Sequence, residues 1–417
     1  MSDLAVINCR QLVTLAGTRG PRTGNEMREL GVIAGGAMRV RDGRIAAVGP
    51  LSEIRRALTD DTQIVDAGGR IVLPGFVDAH THLIFAGNRA DEFEQRTQGA
   101  TYAEISAAGG GIRATVRKTR EASEATLVAT GRRYAEWFLR GGTTTIEAKS
   151  GYGLELETES KILRAIRLVA ADRRLRVVPT FLGAHEVPDE FRGKTREYVD
   201  CLIQEMLPRI AEDRLAEYCD VFCEPNIFHQ HHAAAILRAA KALGFRLRVH
   251  ADQFSPDYGS KVACDVEAAT ADHLERTTPA GFEALDEAGV LPVFLPASVY
   301  NLGSTQYPAA RKAIDLGLPV ILASDFNPGS SPTTSMGMVL SLACTHMKMT
   351  PAEAITAVTI NPAWSLDRGY EIGSLEPGKF GDFVIHECDD YRELPYFFGR
   401  EPAAAVYIAG ECVYRRV

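Results

Sequence analysis

The stretch that decides the fold is Ile71-Val72-Leu73-Pro74-Gly75-Phe76-Val77-Asp78-Ala79-His80-Thr81-His82, an apolar run that ends in two histidines. Alternate side chains of a β-strand point to the same side, so the imidazoles of His80 and His82 can reach one ion. An isolated His-x-His pair says little, because neutral histidines also occur as satisfied core residues. The pair gains meaning from the residues that end other apolar runs of the chain.

Three later apolar runs also end in side chains that bind metals. His250 ends the run that begins at Phe245, His273 follows Ala271-Asp272, and Asp325 follows residues 319–324. Imidazole and carboxylate ligands from separate strand ends suit a divalent site of the kind that zinc or iron occupies. Four such ends favour a metal site over the alternative interpretation, buried polar structure.

Strand-like and helix-period segments alternate from about residue 71 to residue 361, which is the pattern of a parallel sheet covered by helices. The residues of eight candidate strands are 76–82, 143–149, 176–182, 221–224, 246–250, 271–274, 291–295 and 320–324. Eight strands close a TIM barrel, whose active site lies at the carboxyl ends of the strands. We predict an α/β fold, a distorted TIM (β/α)8 barrel, with helices over residues 121–140 and 155–172.

The two chain ends have a different character. Residues 4–8, 36–40 and 45–49 predict strands, with a hairpin turn at Arg41-Asp42-Gly43-Arg44. Strand and turn patterns return at residues 383–386 and 404–414. We therefore predict a composite β-sandwich domain of residues 1–70 plus 373–417, beside a barrel domain of residues 71–372.

Composition sets limits on partners and location. The chain has 417 residues, of which 46% are hydrophobic and 24% are charged, as expected of a folded protein with a sizeable core. The net charge of -8 comes without a basic stripe, so we expect no nucleic-acid partner. No targeting or membrane segment is evident, and the eight cysteines are scattered. We expect a cytoplasmic protein, without a membrane partner, whose thiols are reduced.

The motifs at these strand ends resemble those of the amidohydrolase superfamily of metal-dependent barrels. The resemblance rests on residues 74–82, His250, His273, Asp325 and the segment 373–382, and it covers essentially the whole chain. Five loop motifs are similar to the imidazolonepropionase family: Phe85-Ala86-Gly87-Asn88-Arg89, Lys149-Ser150-Gly151-Tyr152-Gly153, Phe181-Leu182-Gly183-Ala184-His185, His250-Ala251-Asp252-Gln253-Phe254, and residues 325–332. That family opens the ring of 4-imidazolone-5-propanoate to N-formimidoyl-L-glutamate in histidine degradation. The resemblance implies a cyclic amide hydrolase with a small-molecule substrate, and a homodimer, which is common in the family.

We predict that His80, His82, His250 and Asp325 hold one divalent metal ion, Zn²⁺ or Fe (Fe²⁺ or Fe³⁺). This ligand set leaves room for a water molecule, whose pKa such a metal lowers toward about 7. A cyclic amide needs an activated water, a polarised carbonyl and a proton for the leaving nitrogen. In this hypothesis the catalytic residues are Asp325, which carries the proton to the nitrogen, and His273, which orients the water or stabilises the oxyanion.

The substrate that the resemblance implies has a propionate tail, and Arg89 can bind a carboxylate through two parallel hydrogen bonds. Tyr152 and His185 are expected to donate hydrogen bonds to the tail or ring. Gln253 cannot abstract a proton, but its amide complements the ring amide. The other predicted contacts come from backbone NH groups of the loop after the last ligand, at Asn327, Gly329 and Ser330.

Three alternatives remain open. A two-metal site is less favoured. In two-metal relatives the lysine that bridges the metals belongs on strand four, but strand four here ends in Cys223-Glu224-Pro225, and Lys149 comes at strand two. A neighbouring amidohydrolase, such as a nucleobase deaminase, would use similar ligands, but a neutral base offers Arg89 no carboxylate. A non-catalytic scaffold would be expected to have lost ligands, and its metal content would reveal it.

Overall fold

A computed structural model describes residues 3–17, 19–100, 104–105 and 109–416. The strands before residue 75 are β1 (Asp3–Ile7), β2 (Gln11–Val13), β3 (Val32–Ala34), β4 (Gly36–Arg41), β5 (Arg44–Pro50), β6 (Gln63–Asp66) and β7 (Ile71–Pro74). The predicted hairpin joins β4 to β5, because Arg41 pairs with Arg44 across a two-residue turn. Asp42 and Gly43 have φ values of 51° and 75°, as the mirror-image turns of hairpins require.

Eight parallel strands form the barrel sheet, each hydrogen-bonded to the next in chain order. They are β8 (Phe76–Asp78), β9 (Thr143–Lys149), β10 (Arg176–Ala184), β11 (Tyr218–Cys223), β12 (Arg246–Ala251), β13 (Thr270–His273), β14 (Leu291–Phe294) and β15 (Ile321–Leu322). The segments after the first and last strands meet, because the Asp325 NH donates to the His80 carbonyl at 3.0 Å and the His82 NH to the Phe326 carbonyl at 2.8 Å. This junction confirms the predicted TIM-like barrel and brings both ends of the site together.

The chain ends together build two further sheets. After the barrel come β16 (Phe383–His386), β17 (Ala403–Ile408) and β18 (Glu411–Arg415). One sheet has the order β5-β4-β1-β6 and the other the order β18-β17-β16-β7-β2-β3. β7 therefore belongs to an end sheet, although β8 begins two residues later. Gly75 lies between them, where a Cβ atom would come within 2.1 Å of the Thr144 hydroxyl. The exact domain division at residues 70/71 and 372/373 stays a prediction.

Most of the helices follow barrel strands and cover the sheet, whereas those at residues 51–56 and 393–396 lie among the strands of the chain ends. They are α1 (Leu51–Arg56), α2 (Ala90–Thr97), α3 (Ile112–Glu121), α4 (Glu124–Arg140), α5 (Leu156–Ala171), α6 (Thr195–Cys201), α7 (Leu207–Glu212), α8 (Gln230–Ala242), α9 (Gly259–Val266), α10 (Pro279–Ala288), α11 (Pro296–Asn301), α12 (Ala310–Leu316), α13 (Met336–His346), α14 (Pro351–Ala357), α15 (Ile360–Ser365) and α16 (Glu393–Tyr396). The helix predicted from residue 121 begins instead at Glu124, because Ser123 caps it by accepting the Thr126 NH at 3.1 Å. Among the described helices, none has both the length and the apolar character needed to cross a bilayer.

Buried apolar residues at helical spacing place α5 against the barrel. Ile162, Ile166 and Val169 are all almost fully buried, as their spacing predicts. Cys219 and Cys223 are buried in β11, and all eight cysteines are free thiols.

Candidate metal and active site

The four predicted metal ligands converge at the carboxyl ends of the barrel strands. His80 and His82 flank Thr81, which bridges to Phe326 after β15. The His250 ring, from β12, lies 4.5 Å from the His80 ring and 5.7 Å from the His82 ring, measured between centroids. Asp325 Oδ1 lies 3.6 Å from His80 Nε2 and 3.7 Å from His82 Nε2. Residues distant in sequence therefore present nitrogen and oxygen atoms to one point.

These residues fit a divalent metal ion. One ligand atom from each of His80, His82 and His250 lies within 4.8 Å of the other two, and the same holds for His80, His273 and Asp325. Nε2 of both His80 and His250 is buried without a hydrogen-bond partner among the described residues. Leaving such nitrogens unsatisfied is costly, and a metal ion would satisfy them.

His273, the last residue of β13, lies beside these ligands. Its ring centroid is 5.7 Å from that of His80, and its Nδ1 is 3.2 Å from Glu275 Oε1. Burial alone would lower the pKa of His273, but the carboxylates of Glu275 and Asp325 raise it to about 9. Burial raises the pKa of Asp325 above its usual range. Both His273 and Asp325 have positive φ values, 87° and 53°, a strained backbone of the kind found at functional sites.

Two carboxylates that the sequence interpretation missed support the ligand histidines from below. Asp272 Oδ2 lies 2.6 Å from His80 Nδ1, and Asp220 Oδ2 lies 3.0 Å from His250 Nδ1. His250 and Lys149 together hold the pKa of Asp220 well below its usual range, against the effect of burial. In the sequence, Asp272 lies inside the predicted strand 271–274 and next to His273, which is a signal, whereas Asp220 precedes the predicted strand 221–224 and offers none.

A cavity of about 560 Å³ opens onto these residues. It is lined by His82, Arg89, Tyr152, His185, Gln253, His273, Asp325, Asn327 and Ser330, among others. Arg89 is buried, and its Nε donates to the Thr115 hydroxyl at 2.9 Å. Its Nη2 is buried without a hydrogen-bond partner among the described residues. Gly329 makes room for this guanidinium, since a Cβ atom there would lie 2.2 Å from Arg89 Nη1.

The aromatic wall of the cavity is formed by Tyr152 and His185. The His185 ring stacks on the His82 ring with centroids 5.0 Å apart, and Tyr152 lies 5.3 Å from His185. His185 Nδ1 lies 3.0 Å from the Gly151 carbonyl, which can only accept, so Nδ1 carries the proton. Burial lowers the pKa of His185 to about 3, so the ring is neutral. In a neutral ring of this tautomer Nε2 is an acceptor, and the donor role that the sequence predicts for His185 stays a prediction.

The loop after Asp325 is held by its own hydrogen bonds. Asn327 Oδ1 accepts the NH groups of Gly329 and Ser330, each at 2.8 Å. These NH groups, expected from the sequence to reach the product, are thus already bonded. Asn327 Nδ2 donates to the Asp325 carbonyl at 2.7 Å, and the Ser330 hydroxyl lies 3.3 Å from Asp325 Oδ2. The loop fixes the Asp325 backbone and presents side chains to the cavity.

The barrel and its convergent ligands are typical of metal-dependent hydrolases, and a family model described as the amidohydrolase family matches residues 71–413. The chain therefore belongs to the amidohydrolases. A second model, for the imidazolonepropionase-like composite domain of bacteria, matches residues 36–66. The imidazolonepropionase of Solibacter usitatus is 70% identical over 416 residues, which cover 100% of both chains. That of Symbiobacterium thermophilum is 47% identical over 99% of this chain and 97% of its own. Within the amidohydrolases, the chain thus belongs to the imidazolonepropionase family.

Solved structures share the same architecture at low sequence identity. E. coli guanine deaminase covers 100% of both chains with a TM-score of 0.78 and 16% identity. An adenosine deaminase from Xanthomonas campestris with bound zinc covers 99% of this chain and 92% of its own, with a TM-score of 0.68 and 19% identity. At these identities the likeness concerns the fold alone.

Proposed function

We propose that this chain hydrolyses the ring amide C–N bond of 4-imidazolone-5-propanoate to give N-formimidoyl-L-glutamate. The observation that carries the proposal is that Arg89, whose Nη2 is buried without a hydrogen-bond partner among the described residues, lines the same cavity as the metal-ligand cluster. A carboxylate tail at Arg89 and a ring carbonyl at the cluster are the two features of that substrate. The supporting relatives carry the name imidazolonepropionase.

In this proposal one ion, Zn²⁺ or Fe, is held by His80, His82, His250 and Asp325. When bound, it supplies a water of lowered pKa and polarises the ring carbonyl. Asp325 Oδ1 faces the Nε2 atoms of both His80 and His82, so its carboxylate is placed to take a proton from that water and return it to the leaving nitrogen. His273 stabilises the developing oxyanion, and Glu275 holds it in place through Nδ1.

The cavity side chains orient the substrate. Arg89 binds the propionate, while Nε2 of His185 accepts a hydrogen from a ring NH. Gln253 pairs with the ring amide, and the Tyr152 ring packs against the substrate. Asn327 and Ser330 line the cavity at the product end and are the proposed contacts there, whereas Gly329 contributes by leaving space for the Arg89 guanidinium. These contacts would place the amide carbon next to the metal-ligand cluster. Holding the substrate in this orientation reduces the entropic part of the activation barrier.

Two substitutions test the proposed roles. His273→Ala and Asp325→Asn are each expected to lower kcat by about 10²–10⁴, the range of general acid–base catalysis. Metal content is measured in the same samples, since Asp325 is also a proposed ligand. His231→Ala, at an exposed position of α8, is the control and should keep full turnover. Near-normal turnover of either metal-loaded active-site variant would refute the roles.

We further infer that the protein works in the cytoplasm as a homodimer, with no nucleic-acid or membrane partner. The net charge of -8 without a basic stripe supports the exclusion of nucleic acid. Sedimentation of the purified protein tests the assembly. A single species at twice the mass of one chain is expected, and a species of one-chain mass at working concentration would contradict the inference.

A further inference from the structure

Five charged side chains, which we call the buried charge cluster, lie beneath the metal-ligand histidines. Each has a relative exposure of 0%, and none is used by the mechanism proposed above: Glu147, Lys149, Asp220, Arg248 and Asp272. Charged groups are rarely buried to this extent unless they are paired, because removal from water is expensive. The cluster therefore needs a reason beyond stability.

Lys149 is the centre of the cluster. Its Nζ lies 2.7 Å from Asp220 Oδ2, 3.0 Å from Glu147 Oε1 and 3.8 Å from Asp272 Oδ2. It is the last residue of β9 and its exposure is 0%, so its ammonium lies in the barrel interior rather than in solvent. One cation thus contacts carboxylates from three different strands.

Two of these carboxylates face the Nδ1 atoms of metal-ligand histidines. Asp272 Oδ2 is 2.6 Å from His80 Nδ1, and Asp220 Oδ2 is 3.0 Å from His250 Nδ1. Asp220 Oδ1 also accepts the backbone NH of His250 at 3.2 Å. The His80–Asp272 contact is a hydrogen bond, whereas Asp220 lies at ion-pair distance from a His250 Nδ1 that has no hydrogen-bond partner among the described residues. A carboxylate beside Nδ1 favours the tautomer with its proton on Nδ1, which leaves Nε2 for the metal.

The third carboxylate, that of Glu147, binds the segment after β8 that carries His80 and His82. Glu147 Oε2 accepts the NH of Thr81, the residue between His80 and His82, at 3.3 Å. The Lys149 backbone NH donates to the Thr81 carbonyl at 2.8 Å. The backbone of Lys149 therefore binds this segment directly, and its side chain reaches the same segment through Glu147.

The charge count shows why the ammonium is needed. The cluster has three carboxylates and two cations, and Arg248 Nη2 reaches Asp272 Oδ2 at 3.4 Å while it donates to the Ala79 carbonyl at 2.8 Å. Without Lys149, Asp220 and Glu147 would have no lysine or arginine within salt-bridge distance among the described residues. The ammonium therefore fixes where these carboxylate groups lie relative to the histidines above them, which is the role of a partner that orients a metal ligand.

We propose that Lys149 is a positioning residue of the metal site: its unmodified ammonium holds Asp220 and Asp272 in place beneath His250 and His80, so that both histidines present Nε2 to the metal. The inference rests on the proposed function, because it takes these histidines as metal ligands. Lys149 contacts no substrate and acts through its two aspartate partners.

The test compares Lys149→Met with Lys379→Met by zinc competition against a chromophoric chelator. Lys379 is also a buried lysine, but its Nζ donates to the Gly369 carbonyl and the Ser374 hydroxyl, outside the metal site. Loss of a partner that orients a ligand typically weakens metal binding about 10–100-fold. We expect such a loss in Lys149→Met and none in Lys379→Met. Equal zinc affinity of Lys149→Met and wild type would overturn the proposal, and so would an equal loss in both variants.

A measurement on the wild-type protein covers the case in which Lys149→Met fails to fold. In zinc-loaded protein with ¹⁵N-labelled histidine, His80 and His250 should each carry a proton on Nδ1, and that of His80 should be hydrogen-bonded. Metal bound through Nδ1 of either histidine would overturn the proposal, as would a carbamate carbon on Lys149 after incubation with ¹³C-bicarbonate. If the wild type binds no metal at all, the proposed function fails. If it binds metal and Lys149→Met matches it, only this inference fails.

Discussion

At the residue scale, Arg89 is the side chain whose surroundings define a substrate group most narrowly. Thr115 binds its Nε, Gly329 leaves space beside Nη1, and Nη2 is buried without a partner among the described residues. A buried guanidinium nitrogen without a partner is costly unless an anion completes it. We expect the propionate tail of the proposed substrate to be that anion.

Arg89→Met is expected to raise KM about 10- to 100-fold, because each hydrogen bond to a charged group contributes about 1.5–3 kcal/mol. Arg89→Lys should recover only part of the loss, since an ammonium cannot make two parallel bonds. The measurement is kcat/KM for the substrate and for an analogue without the carboxylate. If the Met variant still discriminates between the two compounds as well as wild type does, Arg89 does not bind the tail.

At the element scale, the pattern of apolar runs predicts the barrel strands, but it does not reveal the carboxylates that lie beneath the predicted ligand histidines. Runs that end in ligands could be recognised because a parallel strand delivers its last residues to one face of the sheet. The role of Asp220 could not be recognised, because sequence spacing shows that a strand residue faces inward but not which neighbour it meets. β7 was also not separable from β8, since both are apolar and only their pairing partners distinguish them.

The pair of Asp3 and Arg39 joins two strands of an end sheet, β1 and β4. Arg39 donates to both carboxylate oxygens of Asp3, at 2.8 and 2.6 Å, and these bonds lower the pKa of Asp3 to about 2. The unfolded pKa is about 3.9, so the pair stabilises fully above that pH and loses its effect as the pH falls through 2.

Asp3→Asn is therefore expected to destabilise the metal-free protein at pH 7 by about 1 kcal/mol, a value reduced by solvent screening at this partly exposed pair. The difference in thermal midpoint between variant and wild type should narrow as the pH falls from about 4 toward 2. Thermal unfolding monitored by circular dichroism at several pH values measures it. A difference that stays constant or grows toward low pH would show that the Asp3 charge is not the cause.

At the scale of the whole molecule, the barrel converts distant sequence positions into one centre. His80 and Asp325 become neighbours only because the first and last strands meet, and the buried charge cluster joins the strands between them. The cavity borders this centre, and its lining includes His82, His250, Asp325 and Arg89. Catalysis in this account depends on the closed barrel and on its metal together.

Metal-dependent hydrolysis of the proposed substrate is tested by the loss of ultraviolet absorbance of freshly generated 4-imidazolone-5-propanoate. The loss is followed before chelation, after chelation and after return of Zn²⁺ or Fe²⁺. We expect ring opening to N-formimidoyl-L-glutamate with one metal ion per chain, abolished by the chelator and restored by the metal. Full turnover by metal-free protein, or no turnover by protein with its metal in place, would contradict it.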